Sequence, residues 1–358
     1  MRNFNCACSN TVYFANTHCL SCQRQLGFIS ELGVLSSFDV SVEGLWYSTI
    51  NNRVYRPCAN YTHHHICNWM VDADDNNALC RSCRLTQVIP DLSRPNNLPL
   101  WFKMEQAKRR LLFTLMQLGL PIWDTIPGKP ELRFQFLEDV TEDEFGQELT
   151  VKSTVMTGHN NGTITLNLKE AEDASRIMMR DKMNERYRTL VGHFRHESGH
   201  FYWDWLIRDS ASLQSFRALF GDETLDYTQA LARYYDQGPV SFWKDCWISA
   251  YASAHPWEDW AETWAHYLHI IDTLDTAAQY EVSVSGLPFA FPTSTSFEKI
   301  YADWCRLTTI LNALNRSMGL DDAYPFVIPT PALKKLEYVH SLIQQNAISF
   351  PIQTGAGG

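Results

Sequence analysis

Apolar residues recur at helical spacing over much of the chain after residue 100, and they alternate over a shorter central stretch. The run "FKMEQAKRRLLFTLMQLGLP", residues 102–121, has the helical period and stops at Gly119 and Pro121. Residues 132–139, "LRFQFLED", and 157–168, "TGHNNGTITLNL", alternate as strands do, and the second contains an Asn-Asn-Gly turn. The pattern predicts a small sheet accompanied by many helices.

The pattern becomes mainly helical from residue 169 onward, beginning with "EAEDASRIMMRDKMNERY". Further helices are predicted over 226–236, 241–252, 257–275 and 297–317. Residues 1–95 show strand-like segments and turns instead, and the Pro-rich passage "IPDLSRPNNLPLW", residues 89–101, ends this section and acts as a linker. We therefore predict an α+β fold with one domain over 1–95 and a mainly helical domain over 96–350.

Eight of the ten cysteines lie before residue 84, in two sets that each end in C-x-x-C. The sets are Cys6, Cys8, Cys19 and Cys22, then Cys58, Cys67, Cys80 and Cys83. Four thiolates suit a tetrahedral zinc ion, so the sequence predicts two structural zinc sites, with buried free thiols as the alternative. The tight C-x-C opening makes Cys6 and Cys8 the less certain ligands, and the "HHH" at 63–65 is expected in a solvated loop.

The charge balance disfavours nucleic acid as a partner. The net charge is −10, and residues 1–95 are neutral, with seven Arg, no Lys and seven acidic residues. The basic turn with Lys103, Lys108, Arg109 and Arg110 is expected to be a solvated helix face. No leader-like or membrane-spanning apolar run is present, which favours a cytoplasmic, reducing location.

The segment "HESGH", residues 196–200, fits H-E-x-x-H. His196 and His200 are one helical turn apart and can bind one zinc ion, while Glu197 can contact the water bound to that ion. A catalytic zinc site needs a third protein ligand, and "HPWEDWAETWAHYLH", residues 255–269, offers Glu258 and Glu262 on one helical face.

This combination resembles the gluzincin metallopeptidases, in which an H-E-x-x-H helix is followed by a helix with E-x-x-A-E. The resemblance implies that Glu258 is the third ligand and that Glu262 orients a ligand histidine. The spacing from His200 to Glu258 is longer than in compact members, so Glu262 stays open as the alternative ligand. The resemblance also makes Tyr251 the first candidate for the oxyanion donor, and His255 is the second.

A narrower resemblance covers nearly the whole chain. The double cysteine region, "TGHNNGTITLNL", "YRTLVGHFRHESGHFYWD", "ALFGDETLDY" and "HPWEDWAETWAHYLHIIDTLDTA" are similar to bacterial zinc-binding metallopeptidases with an N-terminal zinc ribbon. It implies a double zinc ribbon followed by a zincin-like domain, with one catalytic and two structural zinc ions.

The expected function is zinc-dependent hydrolysis of peptide or amide bonds, with Glu197 as the general base. The partners expected are a peptide or protein substrate and a protein bound through the ribbons. The strand "GTITLNL" is expected either to pair with an extended substrate at a sheet edge or to be internal. The alternative function is a ribbon module that binds protein or nucleic acid, with the zincin part as a scaffold or a non-peptide amidohydrolase.

Overall fold

The structure is a computed structural model that describes residues 2–142, 150–183 and 189–347. The N-terminal region, residues 2–95, is built mainly from short antiparallel strands. A hairpin is followed by a five-stranded sheet in the order β3-β4-β5-β6-β7 and by a single-turn helix between β6 and β7. The elements are β1 (Asn3–Asn5), β2 (Thr11–Tyr13), β3 (Gln25–Ile29), β4 (Val34–Val40), β5 (Trp46–Ser48), β6 (Val54–Pro57), α1 (Ala59–Thr62) and β7 (Met70–Asp72).

A second sheet of four strands lies beside the helices, in the order β12-β13-β9-β8. Its strands are β8 (Thr86–Val88), β9 (Arg133–Leu137), β12 (Gly158–Asn160) and β13 (Thr163–Asn167), and a separate hairpin contains β10 (Val140–Glu142) and β11 (Thr150–Ser153). Strands β8, β9 and β13 run parallel, and β12 is antiparallel to β13. Asn161 and Gly162 form the tight turn between β12 and β13 with positive φ, as the Asn-Asn-Gly pattern predicts.

The position of the strand in "GTITLNL" decides between the two expectations for it. Strand β13 pairs with β12 on one side and with β9 on the other, so it is internal. One edge of this sheet is formed by β12, the first strand of the same hairpin, and the other edge is formed by β8. Substrate pairing along β13 is therefore wrong, and β12 and β8 are the strands of this sheet whose outer sides carry no strand among the described residues.

The rest of the chain is helical, with one small hairpin. The elements are α2 (Asn97–Gln117), α3 (Asp173–Met183), α4 (Leu190–Leu206), α5 (Leu213–Phe220), α6 (Tyr227–Gln237), α7 (Trp243–Cys246), α8 (Pro256–Gln279), β14 (Ser283–Val284), β15 (Leu287–Pro288), α9 (Phe297–Ser317) and α10 (Thr330–Asn346). The helix predicted over 241–252 is wrong, because α7 is one turn long and a 3-10 turn follows at Tyr251–Ser253. The last residues of the helix predicted through 187 lie outside the described residues.

Helices α4 and α8 pack closely, and Gly199 permits the approach. A Cβ atom at Gly199 would lie 2.9 Å from the Cα of Ala261 and 3.2 Å from Trp264. Two tryptophans of α8 donate hydrogen bonds to α4: Trp260 Nε1 to the Gly199 carbonyl at 2.8 Å and Trp264 Nε1 to the Ser198 hydroxyl at 3.1 Å. Close packing at Gly199 and these two hydrogen bonds therefore hold α4 against α8.

The basic turn of α2 is not the solvated face that the sequence suggested. Lys108 and Arg109 are buried, and Lys108 donates to the equally buried Glu105 at 2.9 Å. Glu105 also accepts from Thr86 of β8 at 2.8 Å. Glu105 precedes Lys108 by three residues and Arg109 by four, so its carboxylate can balance both buried charges. A buried charge without such a partner would be costly.

The N-terminal region and the helical region share packing and polar contacts. Strand β8 precedes the predicted boundary at residue 95, yet it completes the sheet that the later strands form. Arg2 and Asp275 of α8 form an ion pair at 3.2 Å, and Gln279 donates to Asn3 at 2.8 Å. Phe113 of α2 also packs against the aromatic rings of the N-terminal core. The two regions therefore form a continuous core.

None of the helices within the three described ranges combines the length and the apolar character that crossing a bilayer requires.

The close approach at Gly199 generates a stability prediction. Gly199→Ala forces the backbones of α4 and α8 apart and should lower the free energy of unfolding by roughly 1–3 kcal/mol, as overpacking does. Thermal or denaturant unfolding measures the change.

Gly192→Ala, in the first turn of the same helix, is the matched control. The added Cβ would face only the Thr189 hydroxyl at 3.0 Å, so the gain in helix propensity should offset the contact. Equal stability changes for the two variants would contradict a special role for Gly199.

Candidate metal centre

The structure brings the cysteines of each set together. In both sets the four sulfur atoms lie within 4.8 Å of one another. The Sγ–Sγ distances are 3.5 Å for Cys6 and Cys22, and 3.7 Å for Cys8 and Cys19. Zinc–sulfur bonds of about 2.3 Å in a tetrahedron separate the sulfurs by roughly 3.8 Å. Cys6 and Cys8, the less certain ligands by spacing, thus lie in the first cluster.

The two cysteine clusters differ in exposure. The second cluster is fully buried, and Cys67 and Cys80 are 3.7 Å apart. In the first cluster Cys8 is exposed, and the backbone hydrogen bond from Cys22 is the main cause that lowers the pKa of Cys19 to about 6. A lowered thiol pKa favours the thiolate that binds metal. His63, His64 and His65 do not belong to the second cluster.

A third cluster joins helices α4 and α8. The ligand atoms of His196, His200 and Glu258 lie within 4.8 Å of one another. Nε2 of His196 is 3.0 Å from Oε2 of Glu258, and Nε2 of His200 is 3.5 Å from Oε1. The i, i+4 spacing on α4 places both imidazoles on one face, as the H-E-x-x-H pattern predicts.

Glu262 contacts the other side of His196. Nδ1 of His196 donates to Oε1 of Glu262 at 2.7 Å, and the Ser249 hydroxyl donates to Oε2 of Glu262 at 2.6 Å. A proton held at Nδ1 leaves the lone pair at Nε2, which faces Glu258. The structure therefore separates the two glutamates: Glu258 shares the cluster with both histidines, and Glu262 orients one of them.

Within the described part of the chain, His200 has no counterpart of Glu262, and its ring is held in place by packing. Its ring lies 4.0 Å from the ring of Trp257, and its buried Nδ1 has no hydrogen-bond partner among the described residues. Trp257 follows His255, which caps the N-terminus of α8 by accepting from the Trp257 N–H at 3.1 Å. Pro256 at the first helical position supports the same helix start.

The electrostatics of the cluster favour a positive charge between the carboxylates. Burial disfavours a charged His196, but the contacts with Glu258 and Glu262 more than offset it and raise the pKa of His196 well above its ordinary value. Burial likewise opposes ionisation of Glu258, yet His200 and His196 lower the pKa of Glu258 well below its ordinary value. The site is thus suited to an ionised carboxylate beside a cation.

Glu197 lies directly next to this cluster in the sequence and is buried with it. Burial is the main cause that raises the pKa of Glu197 above its ordinary value. Its Oε2 is buried and has no hydrogen-bond partner among the described residues. A carboxylate with an unused oxygen beside a cluster that could hold a metal ion is able to accept a proton from a water molecule there.

The two candidates for the oxyanion donor differ in position. The Tyr251 ring lies 5.9 Å from the His196 ring, so Tyr251 borders the cluster. His255 uses Nδ1 to accept from Trp257 and Nε2 to donate to the Leu225 carbonyl at 3.1 Å. One ring nitrogen of His255 therefore caps α8 and the other binds the chain just before α6, which leaves neither for an oxyanion.

The sequence reasoning missed Tyr227 as a residue of the site. This first residue of α6 donates its hydroxyl to Oε1 of Glu258 at 2.6 Å. No spacing rule links a tyrosine to a glutamate 31 positions later, because the contact arises from tertiary packing. The sole sequence signal was that Tyr227 ends the segment "ALFGDETLDY", one of those that carry the family resemblance.

Helices α4 and α8 together bring two imidazoles and a carboxylate into one cluster that could hold a metal ion, with a buried glutamate beside it. Residues 97–342 match the family described as "Putative zinc-binding metallo-peptidase", and residues 3–94 match a zinc-ribbon domain. The chain belongs to this family, which confirms the resemblance. The α+β class, with zinc ribbons before a mainly helical domain, is confirmed as well.

The chain is also similar to mycobacterial proteins along its whole length. Uncharacterized proteins of Mycobacterium tuberculosis and Mycobacterium bovis are each 41% identical to it over 356 residues. The similarity covers 98% of this chain and 97% of each relative. No solved structure matches the chain.

The buried cysteine cluster generates a prediction about folding. Cys67→Ser removes one of the four buried thiols that could hold a zinc ion, and structural zinc supplies about 10–16 kcal/mol in small finger peptides. A loss of even about 4 kcal/mol would lower the melting temperature by roughly 8–16 °C. Cys305→Ser, at an exposed thiol on α9, is the control and should melt like the parent. Equal melting temperatures for the two variants would contradict the structural role of this cluster.

The contrast between Glu258 and Glu262 can be tested by metal titration. Glu258→Ala removes a member of the cluster and should abolish zinc binding there. Glu262→Ala removes only the partner of His196 and should weaken binding by about 10–100-fold. Glu298→Ala, at an exposed position of α9, should bind as the parent does. Stronger zinc loss in Glu262→Ala than in Glu258→Ala would reverse the assignment.

Proposed function

We propose that the chain is a zinc-dependent metallopeptidase of the gluzincin type, which hydrolyses peptide or amide bonds with a metal-activated water. The observation that carries the proposal is the convergence of His196, His200 and Glu258, with Glu197 buried directly beside them. Membership of the zinc-binding metallo-peptidase family supports it.

The donor set fits zinc. Two imidazole nitrogens and one carboxylate oxygen are the ligands of catalytic zinc sites, which keep a further position for water or substrate. Oε2 of Glu258 is buried without a hydrogen-bond partner among the described residues, as expected of an oxygen reserved for a metal. The cysteine clusters fit structural zinc, which completes all four positions with protein. We therefore propose three zinc ions per chain, one catalytic and two structural.

Each nearby residue has a definite task in the proposed reaction. Zinc, when bound, would lower the pKa of its water toward about 7 and polarise the scissile carbonyl. Glu197 accepts the proton of the attacking water and then delivers it to the leaving amine. Glu262 keeps His196 in the tautomer whose Nε2 lone pair faces Glu258, and Ser249 holds Glu262 in place.

Tyr251 is the proposed oxyanion donor. Its ring borders His196 at 5.9 Å, and burial raises the pKa of Tyr251 well above its ordinary value, so the phenol keeps its proton at neutral pH. A neutral hydroxyl can donate to the negative oxygen that develops during attack on a carbonyl.

Strand β12 is the proposed support for an extended substrate. It forms one edge of its sheet, and the ring of its His159 lies 6.3 Å from Phe201 of α4 and 6.4 Å from Trp257 of α8. The edge therefore lies beside the two helices that carry the metal cluster. An exposed edge can pair backbone to backbone with an extended peptide, which suits a peptidase substrate.

The general-base role of Glu197 is tested by Glu197→Gln. The variant keeps the size of the side chain but cannot accept the proton, so hydrolysis should fall by about 100-fold or more while all zinc is retained. Hydrolysis of a peptide library, zinc content and circular dichroism are measured on the full-length protein. Glu298→Gln, exposed on α9, is the matched control and should keep parental activity.

Parental activity in Glu197→Gln would refute the proposed mechanism. If neither the parent nor the control cleaves any peptide but both cleave other amides, the reaction would be non-peptide amide hydrolysis. A parent with three zinc ions and no hydrolysis of either kind would favour the alternative in which the ribbons bind a partner on a passive scaffold.

A further inference from the structure

Helix α6 covers the side of the metal cluster from which Tyr227 reaches Glu258. None of its residues is buried. It is preceded by Gly221, with a φ of 102°, and followed by Gly238, with a φ of 77°, both values that favour glycine. At its far end the Tyr234 ring packs against Tyr251 at 5.4 Å. The helix therefore lies over the site as a surface element rather than as part of the core.

The first turn of α6 is fixed in place by several independent contacts. Asp226 caps the helix by accepting from the Gln229 N–H at 2.9 Å. The preceding Leu225 carbonyl accepts from His255, the residue that caps α8. The Tyr227 ring then packs edge-on against His255 at 5.2 Å and against Trp257 at 5.6 Å. These contacts orient the ring without involving its hydroxyl group.

The hydroxyl of Tyr227 makes the two oxygens of Glu258 unequal. Oε1 accepts from Tyr227 at 2.6 Å, whereas Oε2 faces Nε2 of His196 at 3.0 Å and has no hydrogen-bond partner among the described residues. A carboxylate can bind a metal through one oxygen or through both. Occupation of Oε1 by a strong donor favours binding through Oε2 alone.

We propose that Tyr227 is a positioning residue that restricts Glu258 to one metal-binding oxygen and so keeps a coordination position open for water or substrate. The inference rests on the proposed function only in taking Glu258 as a metal ligand. Tyr227 acts through Glu258 and not on the substrate. Tyr227 is also the first residue of α6, so the position of this helix is linked directly to Glu258.

Tyr227→Phe tests the role of the hydroxyl alone, because it removes this group and keeps the ring contacts with His255 and Trp257. The matched control is Tyr338→Phe on α10, which removes a hydroxyl that donates to the Ser212 carbonyl at 3.0 Å and belongs to none of the metal clusters. Circular dichroism and zinc content of the ribbons verify that both full-length variants are folded.

Two measurements on these proteins report the coordination of the third cluster. The first is zinc affinity, measured by competition with a chromophoric chelator that leaves the cysteine sites loaded. The loss of an outer hydrogen-bond partner of a ligand typically weakens affinity by about 10–100-fold, and we expect a fall in this range for Tyr227→Phe. The second is the visible spectrum after cobalt replaces zinc at this cluster. Binding of Glu258 through both oxygens adds a ligand atom, and cobalt absorbs more weakly as its coordination number rises above four.

The expected result is weaker zinc binding and weaker cobalt absorption in Tyr227→Phe, with Tyr338→Phe equal to the parent. If Tyr227→Phe matches the parent in both measurements, the positioning role is overturned while the peptidase proposal stands. If Tyr227→Phe shows both changes but the parent hydrolyses nothing, the peptidase proposal fails and the role of Tyr227 stands. A parent that binds no metal at the third cluster overturns both.

Discussion

The close contact between α4 and α8 at Gly199 is the constraint on which the site depends. His196 and His200 belong to one helix, and Glu258 and Glu262 belong to the other. Their side chains are short, so the two helix backbones must nearly touch for imidazole and carboxylate to meet at 2.7–3.5 Å. A residue without a Cβ allows this approach, and the hydrogen bonds from Trp260 and Trp264 fix its register.

The close packing of α4 and α8 also buries ionisable side chains, whose charges must be balanced. Two carboxylates and two imidazoles are brought out of water between the helices, and an ionised carboxylate in such surroundings is costly without a cation. Each carboxylate has polar partners. Glu258 contacts Tyr227 and both histidines, whereas Glu262 contacts His196 and Ser249. Burial opposes a charge on His196, but its contacts with Glu258 and Glu262 raise the pKa of His196, so a positive charge is stabilised between the two carboxylates.

The sequence predicted the parts of this site that follow from local spacing. The i, i+4 histidines, the glutamate between them and the paired glutamates of α8 follow the helical period, and the two cysteine sets are recognised by their C-x-x-C spacing. The choice between Glu258 and Glu262 needed the structure, because both lie on one face of α8 and only the position of α4 tells which one reaches both histidines.

Features set by tertiary packing could not be predicted from the sequence. Tyr227 reaches Glu258 through a tertiary contact, and Lys108 is buried because Thr86 of β8 packs against it and against Glu105 of its own helix. The alternation in "GTITLNL" identified a strand, but which side of it would be paired depended on β9 and β12. The segment 241–252 has apolar residues at helical spacing, yet it forms only one helical turn and a 3-10 turn around the site.

The most direct test of the account is an anomalous-difference map recorded at the zinc absorption edge from crystals of the zinc-loaded protein. The account predicts three peaks: one within each cysteine cluster and one bounded by His196, His200 and Glu258. Two cysteine-bound peaks with no peak between α4 and α8, or a peak there that is bound by Glu262 instead of Glu258, would contradict it.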